Sequence, residues 1–556
     1  MNLQVEHVTT DVLVLGGGMA GFRAALAARR SGVDVTMAYR ARGASPYVIG
    51  LNVPLGSVDE RDSPQVYYDD MLRGGYGLND KRLVRVLAEK SIETYDELAQ
   101  LGVPFAAAPH KHEGGRGKTL QRLLSGNTYA RSVYVPDGTG GAIMQALAAS
   151  ARQMNINIVA GPRIVDFLRD GDEVVGALLW KPHTQDLIAV HARAVVVAMG
   201  GIGRLYADST YPVDVGADAF GMALGVGASL IDMEFVQFEP VVTVWPVECK
   251  GMEMPTAMLG DGAHLLNNRG ERFMLAYNPP LGERGIEKAK MSLCIQREID
   301  EGRGFAQGGV AFDATVLAPS QLESYVSHCR RLRGAGVDPA TTAPIVAPAA
   351  HSIMGGIAVD QQCWSGVPGL YVGGEAAGGV HGASRMAGNG CSDPLVFGAV
   401  AGHSAAAGLA SARARDWDTI VARSVDKLRN PGGGETHVCE AFQNIKVGVR
   451  QILSTSAGIW RDAKRLAEGL AMVQEATDSL RAMRPLDIEA AVELGEARRM
   501  ADVGTTIIRA ALSRTESRGA HQRTDFPQRD DATWLRHVTF SQDPSGRLLQ
   551  GFSCLQ

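Results

Sequence analysis

The chain has 556 residues, 45% of them apolar and 21% charged; these globular values exclude wholesale disorder, and the length predicts at least two domains. Fifty-five basic against 60 acidic residues give a net charge of −5, a balance that presents no basic field to nucleic acid or to an anionic membrane surface. The 66 glycines fall in short clusters that mark tight turns, and the seven scattered cysteines include no Cys-x-x-Cys pair, which argues against a disulfide framework or a cysteine-built metal site and for a reducing, cytoplasmic setting. The opening MNLQVEHVTT shows no secretory pattern, and no run of about 18 residues is apolar enough to span a bilayer.

In chain order, Asp11–Leu15 (DVLVL) is an uninterrupted apolar run closed by glycine, the pattern of a buried parallel strand. Gly16-Gly17-Gly18-Met19-Ala20-Gly21 follows, then Phe22–Arg30 with helical composition and Val33–Tyr39 as a second strand. This is a βαβ unit of about thirty residues with its glycines at the strand-to-helix turn, the dinucleotide-binding fingerprint. Gly16 permits the tight turn, Gly18 lets the backbone approach a pyrophosphate, and Gly21 allows close helix–strand packing. The helix start offers unpaired amides and the positive end of its dipole to a phosphate. The carboxylate that would hold a nicotinamide cofactor's ribose is missing: Tyr39 stands at the end of the second strand, and Asp34 comes too early.

Ile158–Val165, Val174–Leu179 and Ala192–Ala198 read as further strands, the last closed by Met199-Gly200-Gly201. From 237 to 348 the alternation breaks into loops and isolated helices such as Lys288–Glu301, which predicts an inserted second domain. Gly369–Glu375 returns to the strand-and-glycine pattern and leads to a helix near Pro394–Gly408. Beyond the glycine-rich spot at 431–435, Ile459–Met483 and Asp487–Thr515 show helical spacing.

The stretch GLYVGGEAAGGVHGASRMAGNGCSDPLVFG (369–398) resembles the fumarate reductase/succinate dehydrogenase flavoprotein family, which includes L-aspartate oxidase. HSIMGGI (351–357), GERF (270–273), EGRG (301–304) and ESRGAHQRTDFPQRDDATWLRH (516–537) match further landmarks of that family in the same order. The resemblance implies an α/β fold: a Rossmann-like FAD-binding domain (1–236 and 349–415) interrupted by an α+β capping domain (237–348), with a helical C-terminal domain (416–556). It implies that Glu375 bonds FAD hydroxyls and that Asp218 contacts the cofactor. It also implies that the helix opened by Asn389, Gly390 and Cys391 faces the flavin pyrimidine edge, where a helix N-terminus stabilises the negative charge of reduced flavin. Tyr39, Arg40, Ser45, Gly50 and Gly200 complete the implied cofactor positions with Gly16–Gly21. Relatives with covalent FAD carry a histidine where Arg42-Gly43-Ala44-Ser45-Pro46 has Ala44, so the FAD is expected to be non-covalent.

His351 and Arg385 match family positions that hold substrate carboxylate, and Arg131 precedes a matching Asp137-Gly138-Thr139-Gly140 turn. The segment from His110-Lys111-His112 to Arg122 reads as a solvated loop. Elsewhere the sequence departs from its relatives. A carboxylate-holding histidine is replaced by Glu239, and the segment Pro255–Gly262, with Thr256, lacks the family's arginine. Lys288 lies where the catalytic arginine is expected, with Arg284 the nearest arginine; a lysine can still carry a proton. Cationic capacity is thus lost at one end, which disfavours plain succinate or fumarate, while an ammonium near Glu239 would be paired. No metal-ligand spacing appears.

The resulting expectation is an FAD-dependent dehydrogenase or reductase of a small organic acid. Its alternatives are an amino-acid oxidase resembling L-aspartate oxidase and the flavoprotein subunit of an electron-transfer complex. A separate electron-transfer partner and homo-oligomerisation stay open; nucleic-acid and membrane partners are not expected.

Overall fold

The computed structural model of the chain describes residues 5–108, 118–136, 138–409, 414–428 and 436–555. The His110-Lys111-His112 segment, Asp137 and the stretch at 431–435 lie outside the described residues. A five-stranded parallel sheet runs in the order Leu370–Val372, Ala194–Val197, Val12–Leu15, Val35–Tyr39, Asn157–Ala160. Its central strand is buried on both faces, as an uninterrupted apolar run requires when helices cover both sides. The helix Met19–Arg30 crosses the long helix Asn389–Ala407 at backbone distance, since a Cβ at Gly402 would lie 2.1 Å from the Ala24 carbonyl oxygen. That contact fixes the starts of both helices relative to the sheet.

The region expected as one strand, Ile158–Val165, is two. Asn157–Ala160 ends the parallel sheet, and after Gly161 (φ +89°) and Pro162 the chain enters Arg163–Asp170 of a different, four-stranded sheet with Glu173–Trp180, Leu187–His191 and Val5–Thr9. Apolar periodicity continued through a turn that the Gly-Pro pair had signalled.

The inserted region is built on a four-stranded antiparallel sheet, Val236–Trp245, Ile345–Ile353, Val310–Asp313 and His264–Leu266, around a core of its own that includes Met258, Leu265, Ile295 and Phe312. The register of Val236–Trp245 slips between Glu239 and Val242, where Pro240 has no amide to donate to the ladder. The helix Lys288–Asp300 buries Met291, Ser292, Ile295 and Glu298, a helical spacing, and the Ser292 hydroxyl donates to the Phe238 carbonyl at 3.0 Å. Its first residue, Lys288, is thereby anchored beside Glu239.

The C-terminal region is helical through Cys439–Ser456, Ala463–Ala482 and Ile488–Ser513. It then departs from the helical expectation: Arg536–Gln542 and Leu548–Cys554 form a hairpin whose first strand pairs with Leu230–Ile231, which in turn pairs with Gly356–Ile357. Between helix and hairpin lies a network of fully buried arginines, Arg461, Arg514, Arg518 and Arg523, matched by Glu234, Glu516 and Asp525. No described helix is long and apolar enough to cross a membrane.

Candidate active site

One long cleft, open to solvent at its mouth, runs from the Gly16–Ala20 turn to Lys288 and His351. At the turn, Gly16 has φ +131°, and a Cβ at Gly21 would lie 2.0 Å from the Gly16 carbonyl oxygen. A Cβ on Gly17 would strike the Tyr39 ring at 2.5 Å, and one on Gly18 would come within 2.9 Å of the Ser45 hydroxyl. The Met19 amide donates to Ser45 Oγ at 2.9 Å. The floor is therefore bare backbone at a helix start, the cradle that a dinucleotide pyrophosphate needs, and the residues present fit one. Gly21→Ala is expected to splay this turn and cut cofactor content to below about a tenth; visible cofactor absorbance relative to protein absorbance checks it.

Tyr39, Arg40, Ser45, Gly50, Gly200 and Asp218 all line the cleft. Asp218 opens the helix Asp218–Gly225 and is held by Arg499 Nε at 2.7 Å, so the C-terminal region closes this end of the cleft. Glu375 follows the strand Leu370–Val372. Its Oε1 accepts from the Ile353 amide at 3.1 Å, from the Ser352 hydroxyl at 3.2 Å and from the Tyr211 hydroxyl, while burial pushes its carboxyl up from the ordinary range. Among the described residues its second oxygen has no donor, which leaves it for a ligand hydroxyl.

The helix Asn389–Ala407 starts after Gly388 (φ +93°). Gly390 and Cys391 line the cleft. Asn389 does not: its Oδ1 accepts from Asn52 Nδ2 at 2.8 Å and from the Tyr67 hydroxyl at 2.7 Å, pinning the helix start from behind. Gly21 likewise supports the turn from outside the cleft wall.

At the far end, Thr256, Lys288, His351 and Arg385 line the same cleft, brought there by two helix starts, a strand and a loop. Lys288 Nζ lies 2.5 Å from Glu239 Oε2. Glu239 itself corrects the sequence expectation: its side chain is 1% exposed and faces Lys288 rather than the cleft, with His351 Nε2 3.8 Å away. The carboxylate that meets His351 within the cleft is Glu253, a position without a sequence-based expectation. Its side chain is 43% exposed and its Oε1 lies 3.2 Å from His351 Nδ1, which is also 3.0 Å from the Thr210 hydroxyl. Although partial burial opposes ionisation, the His351, Lys288 and Arg385 charges hold the Glu253 carboxyl below the ordinary carboxylate range. Glu239, Glu253 and His351 offer ligand atoms within 4.8 Å of one another, but the Lys288 ammonium already supplies the positive charge there.

Arg385 donates to the Met386 carbonyl at 3.2 Å, and its buried Nε has no partner among the described residues. Arg284 is exposed and does not line the cleft, so Lys288 is the cation of this segment that reaches it. Arg131 is corrected as well. It is fully buried away from the cleft, 2.8 Å from both Asp62 and Asp70 and over the Tyr67 ring, a packing cation rather than a substrate ligand. Also missed were Tyr211, Ser352 and His381, the last 3.4 Å from Asp393. The one available signal was an acid inside Met252-Glu253-Met254-Pro255, where a carboxylate among apolar neighbours marks a held charge.

A family model described as FAD binding domain matches residues 11–391, and one described as fumarate reductase flavoprotein C-term matches 447–549. The chain is 31% identical to a subunit of the fumarate reductase (CoM/CoB) of Methanothermobacter marburgensis, over 97% of this chain and 98% of that one. It is 30% identical to L-aspartate oxidase of Streptomyces coelicolor, over 97% of this chain and 93% of that one. Among solved structures, E. coli quinol fumarate reductase FrdA superposes with a TM-score of 0.90 at 26% identity, covering 99% of this chain and 97% of that one.

Proposed function

Because this chain belongs to the fumarate reductase/succinate dehydrogenase flavoprotein family and is an FAD-dependent oxidoreductase, we propose that it catalyses hydride transfer between flavin N5 and a carbon next to the carboxylate of a small organic acid. FAD, when bound, supplies the two-electron donor or acceptor. The observation that carries the reading is the convergence of Lys288, His351 and Arg385 on one end of the cleft that begins at the glycine turn. Arg385 holds the substrate carboxylate, and His351, steadied by Thr210 and Glu253, lies alongside to orient it. Lys288 gives or takes the proton on the carbon that pairs with the hydride, and Glu239 fixes its ammonium. Ala44 lines the cleft and offers no nucleophile, which supports non-covalent FAD.

Plain succinate or fumarate is disfavoured because carboxylates already accompany two of the three cations. The test is an anaerobic screen in which short saturated acids are mixed with the oxidised protein and unsaturated acids with the dithionite-reduced protein, following flavin absorbance. Bleaching or recolouring by one acid is expected; no response from any carboxylate would sink the reading. A second reading, the flavoprotein subunit of an electron-transfer complex, is favoured by the Methanothermobacter relative, which is itself one subunit of a fumarate reductase. Iron co-purifying in stoichiometric amount would select it.

A further inference from the structure

The charges at the substrate end do not suit two carboxylates. Lys288 is neutralised by Glu239 at 2.5 Å, and His351 has Glu253 at 3.2 Å. Arg385 forms no ion pair at contact distance among the described residues, and its Nε is buried with no acceptor, so one anion is called for there. Glu253 lines the same cleft, its side chain 43% exposed and near enough to Arg385 to feel its charge. A ligand that places one carboxylate on Arg385 brings its other end toward that acid. A second carboxylate would meet like charge in a partly desolvated site, whereas an ammonium would be paired and hydrogen-bonded.

We infer that Glu253 is the specificity-determining residue of this cleft, and that the substrate carries one carboxylate, taken by Arg385, and one amino group, taken by Glu253. This rests on the carboxylate-binding reading of Arg385 proposed above. It makes the substrate class amino-bearing monocarboxylic acids rather than dicarboxylates.

The experiment titrates oxidised holoprotein with matched pairs of ligands, α,ω-dicarboxylates and ω-amino acids with the same number of methylenes between their charged groups (malonate with glycine up to glutarate with 4-aminobutanoate), and reads the perturbation of the flavin spectrum. In the tightest-binding pair the amino acid is expected to bind at least about tenfold more tightly. Glu253→Gln, which keeps the side-chain shape, is expected to remove most of that preference while its flavin spectrum shows the fold intact. Equal or tighter binding of the dicarboxylate in every pair overturns the inference, and so does a preference unchanged in Glu253→Gln. The wild-type comparison decides the point even if the variant fails to fold. Silence from both series overturns the underlying reading of Arg385 together with the inference, and so separates the two failures.

Discussion

Lys288→Met combined with Glu239→Gln is expected to give a folded, yellow protein whose turnover has fallen by about 10²–10⁴-fold, the usual worth of a positioned proton donor. The pair is needed because the two side chains are one electrostatic unit: Nζ and Oε2 are 2.5 Å apart, and Glu239 is 1% exposed. Lys288→Met alone strands a buried carboxylate, a loss of about 3–5 kcal/mol that confuses catalysis with folding. Glutamine at 239 removes the stranded charge and keeps the volume. The measurement is turnover on whichever acid bleaches the flavin, alongside the ratio of flavin to protein absorbance and the unfolding midpoint. Near-normal turnover in the double variant would remove Lys288 from the mechanism, and a colourless product would show that the pair supports the cofactor site.

The largest stability effect is expected at Arg514, far from the chemistry. Its guanidinium is fully buried and donates to Glu234 Oε1 at 2.5 Å, Glu516 Oε1 at 3.2 Å, the Trp534 carbonyl at 2.9 Å and the Arg536 carbonyl at 3.0 Å. Arg514→Met leaves Glu234 and two carbonyls without their donor, a cost of about 3–5 kcal/mol. The damage reaches the cleft by two routes. Glu234 lies just before the strand that carries Glu239, and the same segment holds the Arg385 loop through the Ala520 amide, which donates to the Ala383 carbonyl at 2.9 Å. Flavin fluorescence is therefore expected to appear at a distinctly lower temperature than in the wild type. Adding Glu234→Gln should recover part of the loss, because the stranded charge is its main component. An unshifted release temperature in Arg514→Met would contradict this account.

The parallel sheet and the glycine turn were legible because both depend on local pattern: a strand buried on two faces must be apolar throughout, and a helix start that meets a phosphate must be bare. The helix beginning at Lys288 was legible from its periodicity. What could not be read was pairing across distance. Arg131 looks like a free cation in the sequence, yet Asp62 and Asp70, some sixty residues upstream, consume it. Glu239 looks like a pocket acid until the helix from Lys288 packs over it. Glu253 sits in a segment whose relation to His351 is fixed only by the sheet of the inserted region, so no spacing along the chain announces it. The terminal hairpin did carry a turn signal, Asp543-Pro544-Ser545-Gly546 with Gly546 at φ +81°, but it follows a long helical region whose pattern dominates the reading of this end of the chain.

That hairpin has a consequence for how the protein is made. Its first strand, Arg536–Gln542, pairs with the outer side of Leu230–Ile231 and so backs the two short strands Leu230–Ile231 and Gly356–Ile357, and those residues lie beside Glu375 and the 351–355 stretch. During synthesis, then, more than five hundred residues must leave the ribosome before the sheet can close. A premature stop just ahead of Arg536 should be nearly as damaging as one near the start, and a nascent chain would stay a client for chaperones until that strand emerged.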